Sequence, residues 1–172
     1  HIETKLLAPA YQSYSAAYWD SRVMAPSSLL YYVGLNKKLE GVLHHQLFFD
    51  TDFGLHGYEI YTDPKWPTRP LFYASAPSVT DPTVAPEGCE NLFLLIPIAA
   101  GLEGDTEEIR DQYFEMIIHR FEERIGQSIR SSIVYKRSFA VKEFKEDYHS
   151  FRGNAYGLAN TLLQTANLKP SC

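Results

Sequence analysis

Asp105-Thr106-Glu107-Glu108-Ile109-Arg110-Asp111-Gln112-Tyr113-Phe114-Glu115-Met116-Ile117-Ile118-His119-Arg120-Phe121-Glu122-Glu123-Arg124-Ile125-Gly126 is the stretch on which the fold turns. Ile109, Tyr113, Met116, Ile117, Phe121 and Ile125 recur at helical spacing, which gives one stripe that must face a core. Asp105 and Glu108 have the spacing of a capping box, with Asp in place of Ser or Thr. Gly126 stands where a helix ends by turning left-handed. The pattern predicts a helix over residues 106–125. Burying each of those apolar side chains contributes about 1.5–3 kcal/mol before conformational entropy is set against it.

The sequence around that helix reads mainly as strands. Leu29-Leu30-Tyr31-Tyr32-Val33 predicts a strand over residues 28–34, buried on both faces. A second strand, over 42–49, follows the polar turn Asn36 to Gly41, so the two form an expected hairpin. Further strands are predicted over 70–76, 91–99 and 132–139. Pro77, Pro82 and Pro86 keep residues 77–88 out of any ladder, because proline fixes φ and lacks a donor. Shorter helices are expected over 10–22, burying Tyr11, Tyr14 and Tyr18, and around 58–61. Another, over 141–151, should pack Phe144, Tyr148 and Phe151 and end at Gly153. This order predicts an α+β fold, with one domain over residues 1–172. Its sheet is expected to be mixed and largely antiparallel, of about five strands, with the long helix and one or more shorter ones packed on it.

Composition narrows the function. Net charge is −5 and no block of Lys or Arg stands out, which argues against nucleic acid and against a polybasic membrane anchor. Any membrane contact must therefore be apolar. Twelve Tyr and ten Phe fit either a tyrosine-rich sheet or a surface for an apolar ligand. Cys89 and Cys172 are far apart and neither belongs to a CxxC pair, so reduced thiols are expected rather than a disulfide framework. The longest apolar run, Leu92 to Ala100, is too short to span a bilayer, and no signal peptide is visible. The chain begins at His1 rather than Met, and reads as a piece of something longer.

No constellation announces chemistry. On a strand, His44 and His45 point to opposite faces and cannot share an ion. His119 and Glu123 share a helix face, but no third ligand is spaced to complete a zinc site, so no metal site is assigned. There is no nucleophile elbow, phosphate loop or dinucleotide-binding glycine motif. Arg152-Gly153-Asn154-Ala155-Tyr156-Gly157-Leu158 is the odd segment. Its glycines serve either as a helix cap and turn or as places where backbone meets a ligand closely.

Several segments together resemble bacterial-type phytoene desaturases, the FAD-dependent carotenoid dehydrogenases. They are Leu30 to Asn36, Leu43 to Phe49, Pro77 to Gly88 continued through Asn91 to Pro97, and Arg152 to Leu158 followed by Leu163 to Ala166 and Lys169-Pro170. The resemblance runs through nearly the whole chain in the right order. It implies the larger part of a substrate-binding domain from a flavoenzyme that dehydrogenates phytoene or a related apolar polyene. It also implies a cytoplasmic, peripheral membrane protein that meets the membrane surface through apolar contact. Hydroxycarotenoid desaturases and carotenoid isomerases of the same fold are the near alternatives, and a non-catalytic lipid-binding module is the distant one. In the family, glycine-rich segments on either side of this region bind FAD, and neither is present here. The isolated chain is therefore expected to hold no FAD and to be inactive. Within it, Gly153, Asn154, Ala155, Tyr156 and Gly157 are the residues the resemblance brings nearest the flavin; no catalytic residue is assigned.

Overall fold

The computed structural model describes residues 1–170. Five strands form one sheet: β1 Ser27–Leu35, β2 His45–Phe48, β3 Phe72–Ser75, β4 Glu90–Ile98 and β5 Ile133–Phe139. Their spatial order is β2-β3-β4-β1-β5. The α-helices among the described residues are α1 Ala16–Asp20, α2 Phe53–Tyr61, α3 Glu107–Ile125 and α4 Val141–Tyr148. The α+β class stands, but every strand pairing is antiparallel rather than mixed.

The expected β1–β2 hairpin does not form. β1 pairs with β4 from Ser27↔Ile98 to Leu35↔Glu90, and its other edge pairs with β5. With both edges filled, β2 bonds to β3 and lies at the sheet's margin. The connection from Asn36 to His44 is a packed loop, not a turn. It buries Leu39 and Val42, and Leu39 N–H donates to the buried Glu90 carboxylate at 3.1 Å.

β4 shows how the sheet divides. Leu92, Leu94, Ile96 and Ile98 are buried, while the alternate residues Asn91, Phe93, Leu95 and Pro97 are only half-buried. α3 covers the first set with Tyr113, Phe114, Ile117, Ile118 and Phe121. Met116, expected in that stripe, faces outward, and Phe114 and Ile118 are buried in its stead. The helix cap also shifts by one residue. Thr106 Oγ1 accepts from Ile109 N–H, while Asp105 bonds Arg110 at 2.6 and 2.9 Å. Gly126 ends α3 left-handed, with φ of 67°.

Arg110 is 2% exposed and ties three elements together. It binds Asp105, both carboxylate oxygens of Glu143 on α4, and Ser138 Oγ on β5. Burial alone would lower its pKa, but the bonds to Asp105 and Glu143 outweigh that and raise it. Tyr31 OH donates to the Arg110 carbonyl at 2.6 Å, fixing β1 against the first turn of α3.

The remaining differences have local causes. Residues 10–22 hold only a 3-10 turn, Pro9–Tyr11, and α1, because Ser15 Oγ accepts from Tyr18 N–H and starts the helix afresh. Tyr11 is exposed, while Tyr14 and Tyr18 are half-buried and stack at 4.4 Å. Asp52 caps α2 earlier than expected, accepting from Gly54 and Leu55 N–H. α4 ends at His149, whose φ is 53°, rather than at Gly153; Tyr148 is consequently exposed. Residues 77–88 fold into two 3-10 turns, Pro77–Val79 and Pro82–Val84. Cys172 lies outside the described residues, and Cys89 is a free thiol.

Candidate functional site

The sheet face away from α3 carries an aromatic row. Directly opposed residues share a face, so Tyr32↔Phe93, Phe93↔Ser75 and Ser75↔His45 place one line across four strands. Tyr73 joins it from the next position on β3. Ring centroids are 5.4 Å apart for Tyr32–Phe93, 6.3 Å for Phe93–Tyr73 and 5.9 Å for Tyr73–His45. Leu95 and Leu47 lie on the same face through their pairing with Tyr73. Three strand spacings make this surface about 14 Å wide. The surface is not sealed: Tyr32 is 42% and Leu47 64% exposed. The expectation that β1 is buried on both faces fails at Tyr32. Arg137, opposite Tyr32, bounds the apolar surface on the β5 side.

The histidine pair bounds it on the β2 side. His44 precedes β2, so the opposite-faces expectation does not apply, and the two rings stack at 4.1 Å. His44 Nδ1 lies 2.7 Å from Thr80 Oγ1, and His45 Nδ1 lies 2.5 Å from Tyr73 OH. These polar bonds close the end of an otherwise apolar row.

Gly153 to Gly157 form a bent ribbon beside the lead-in to β1, left-handed at both glycines. Ser27 Oγ donates to Gly153 O at 2.5 Å, Ala155 N–H to Pro26 O at 3.0 Å, and Ala25 N–H to Gly157 O at 2.9 Å. Asn154 is buried; it accepts from Gly157 N–H and donates to the Phe151 carbonyl. Gly153 has φ of 63°, and a Cβ there would lie 2.6 Å from the Val141 carbonyl, so glycine is needed to pass α4. Four of the five residues, all but Tyr156, thus have polar groups committed to the fold. Tyr156 is exposed, and a Cβ on Gly157 would meet nothing within 4 Å. Tyr156 also borders two shallow clefts of about 410 and 440 Å³, one shared with Trp19 and Lys169 and the other with Ala25 and Tyr61. The Tyr156 and Gly157 end is the exposed part of this ribbon.

His56, which the sequence did not single out, closes a gap in the sheet. Tyr73↔Leu95 is the last β3–β4 pair on that side, so Leu71 and Pro97 are the next in register once the ladder is extended. Instead of bonding directly they hold the imidazole between them. Leu71 N–H donates to Nδ1 at 3.0 Å, and Nε2–H donates to Pro97 O at 2.8 Å. Burial holds the His56 pKa below the usual imidazole value; Arg120 reinforces this, while the Pro97 carbonyl and Glu59 oppose it. His119 Nε2 lies 3.4 Å from Glu123 Oε1, with both side chains exposed. Among the described residues no cluster of His, Cys, Asp and Glu could hold a metal ion, and no helix is long and apolar enough to cross a membrane.

The geometry defines an α+β protein with one helix-covered and one open aromatic sheet face. Comparison with known proteins supplies the family. Carotenoid 3,4-desaturase of Haloarcula japonica is 43% identical over 171 residues, which cover 99% of this chain and 34% of that protein. 4,4'-Diapolycopen-4-al dehydrogenase of Metabacillus indicus is 34% identical, over 84% of this chain and 29% of its own length. Phytoene desaturase (lycopene-forming) of Pseudescherichia vulneris is 29% identical, over 90% and 32% respectively. The chain belongs to the carotenoid desaturase family, and it spans about a third of the length of these relatives. No protein-family model matches it.

Proposed function

We propose that the chain is the polyene-binding part of a FAD-dependent carotenoid desaturase, and that the open aromatic face is where the polyene lies. The observation that carries this is the row Tyr32–Phe93–Tyr73, in which Tyr32 is exposed and Phe93 and Tyr73 are only half-buried although they lie in the middle of the sheet. A conjugated chain is flat and apolar. It stacks on aromatic rings and gains from leaving water, without needing hydrogen bonds along its length.

Dehydrogenation removes two hydrogens from adjacent saturated carbons and leaves a double bond. A bound flavin supplies the oxidant for that step. The residues described here would position the chain and exclude water, with Tyr156 and Gly157 the part of the ribbon open to the cofactor. The region by itself is inactive on this reading.

The proposal includes peripheral attachment to the cytoplasmic membrane surface, and α2 supports it. This helix buries its polar His56 and Glu59 and exposes Phe53, Leu55, Tyr58 and Tyr61, with Phe49 exposed just before it. Exposed aromatics of this kind suit the interface between headgroups and acyl chains.

Product analysis of the intact protein on phytoene, with and without Tyr32→Ser and Phe93→Ser, tests the assignment. The account expects desaturated products from the parent and at least tenfold less from the double variant. Full activity in a folded double variant would remove the sheet face from the reaction.

A further inference from the structure

We propose that His56 positions the membrane-facing helix α2 on the strands that carry the polyene, and that a second proton on its ring releases that helix. The inference rests on the membrane and sheet-face readings above and names the residue that joins them.

Backbone on both sides fixes the tautomer. Leu71 N–H can only donate, so Nδ1 at 3.0 Å accepts and carries no hydrogen. Pro97 O can only accept, so Nε2 at 2.8 Å carries the hydrogen. The neutral ring thus replaces a missing rung between β4 and the lead-in to β3, the two strands that bring Phe93 and Tyr73 together. His56 is 3% exposed, so water cannot make good a lost bond without opening the site.

α2 depends on such anchors. At nine residues it is too short to be stable alone. Asp52 caps its start, and Glu59 accepts from Thr68 N–H and Oγ1 at 2.9 and 2.6 Å. Of the α2 side-chain hydrogen bonds among the described residues, the one from His56 to Pro97 O is made to a strand. The exposed side of the helix also runs on toward the polyene face. Phe53 meets Phe49 edge-on at 6.0 Å, and Phe49 is two residues beyond Leu47, which lies opposite Tyr73.

A second proton works against this arrangement. Nδ1–H would then face Leu71 N–H, donor against donor, and a charge would be added to a buried ring. The charged groups that face the ring are Glu59 on α2 and Arg120 on α3; β4 and the lead-in to β3 present backbone to it. Burial, the largest influence, disfavours the cation, Arg120 adds to this, and Glu59 opposes it. Both side chains are held elsewhere, Glu59 by Thr68 with Lys65 at 3.9 Å, and Arg120 by Asp50 and Pro70 O. The folded pKa lies below the usual 6.5, so release falls in the acid range beneath that value.

The test follows uptake of phytoene by the intact protein from phosphatidylcholine vesicles, with binding in detergent micelles as the control, from about pH 7.5 to about pH 4.5. Uptake by the parent should fall at least threefold over that range, while micelle binding changes less than twofold. Gln carries an acceptor and a donor at about the spacing of the two ring nitrogens and does not titrate, so His56→Gln should keep its uptake at every pH. His56→Leu should lower uptake at least threefold throughout. Thermal melting at each pH confirms folding; should His56→Leu not fold, the parent and His56→Gln profiles decide. A flat profile in the parent, a parallel loss in His56→Gln, or full uptake by folded His56→Leu overturns the role of His56 alone. A parent that binds phytoene in micelles but takes none from vesicles overturns the membrane reading, and one that binds in neither overturns the sheet-face reading as well.

Discussion

The two faces of the sheet are built from the same strands, and neighbouring residues are set to different tasks. Leu94 is fully buried beneath α3, whereas Phe93 and Leu95 on either side of it point to the open face and remain half-buried. The covered face is largely aliphatic and is locked by Tyr31 OH on the Arg110 carbonyl. The open face is aromatic, and its rings touch one another rather than a covering helix. Residues of the first kind set stability. Those of the second give up burial, which is the expected cost of keeping a surface ready for an apolar ligand.

Substitutions on α3 should break this comparison most severely. Ile117→Asp places a charge where the side chain is 0% exposed, and loss of the cooperative melting transition is expected. Retained melting would show that α3 does not seal the face. Leu94→Ala should cost about 3–5 kcal/mol in denaturant unfolding, through lost transfer energy and the cavity left behind. Leu95→Ala, one residue away, should cost clearly less. Equal losses would erase the distinction between the faces.

A pH titration sharpens the same boundary at the end of β3. The fold favours His56 without its second proton, because Nδ1 must accept from Leu71 N–H. Its folded pKa lies below the unfolded value, so its contribution is fully present above the usual imidazole value of 6.5. That contribution is lost as pH falls from there through the folded pKa. Unfolding free energy should therefore decline below neutrality in the parent, and less so in His56→Gln. Parallel pH profiles for the two proteins would exclude the histidine bridge. The smallest stability effect is expected for Phe93→Ala, at about 1 kcal/mol or less by thermal melting, since that ring already contacts solvent.

Much of the fold could be read from residues that obey a single rule. Ile109, Tyr113, Ile117 and Phe121 mark α3 by period, and Gly126 marks its end by conformation. Strand pairing was harder to read. Leu39 and Val42 give no sign in sequence that the loop after β1 enters the core and forecloses a hairpin. Nor could the open face be separated from the covered one: Leu92 to Ile98 is apolar at every position, which hides the period of two. Tyr32, Tyr73 and Phe93 meet only through two different pairings, neither of them local. Of the ribbon, Gly153 could be noticed as odd, but its approach to Val141 could not. His56 carries no signal at all, because its role depends on a ladder that stops two residues short.

The most direct test measures polyene affinity and melting temperature together for the intact parent and its Tyr32→Ser/Phe93→Ser double variant. The account predicts a melting temperature within a few degrees of the parent and at least a tenfold loss of affinity. Unchanged affinity in the folded double variant would contradict the claim that the open face holds the polyene.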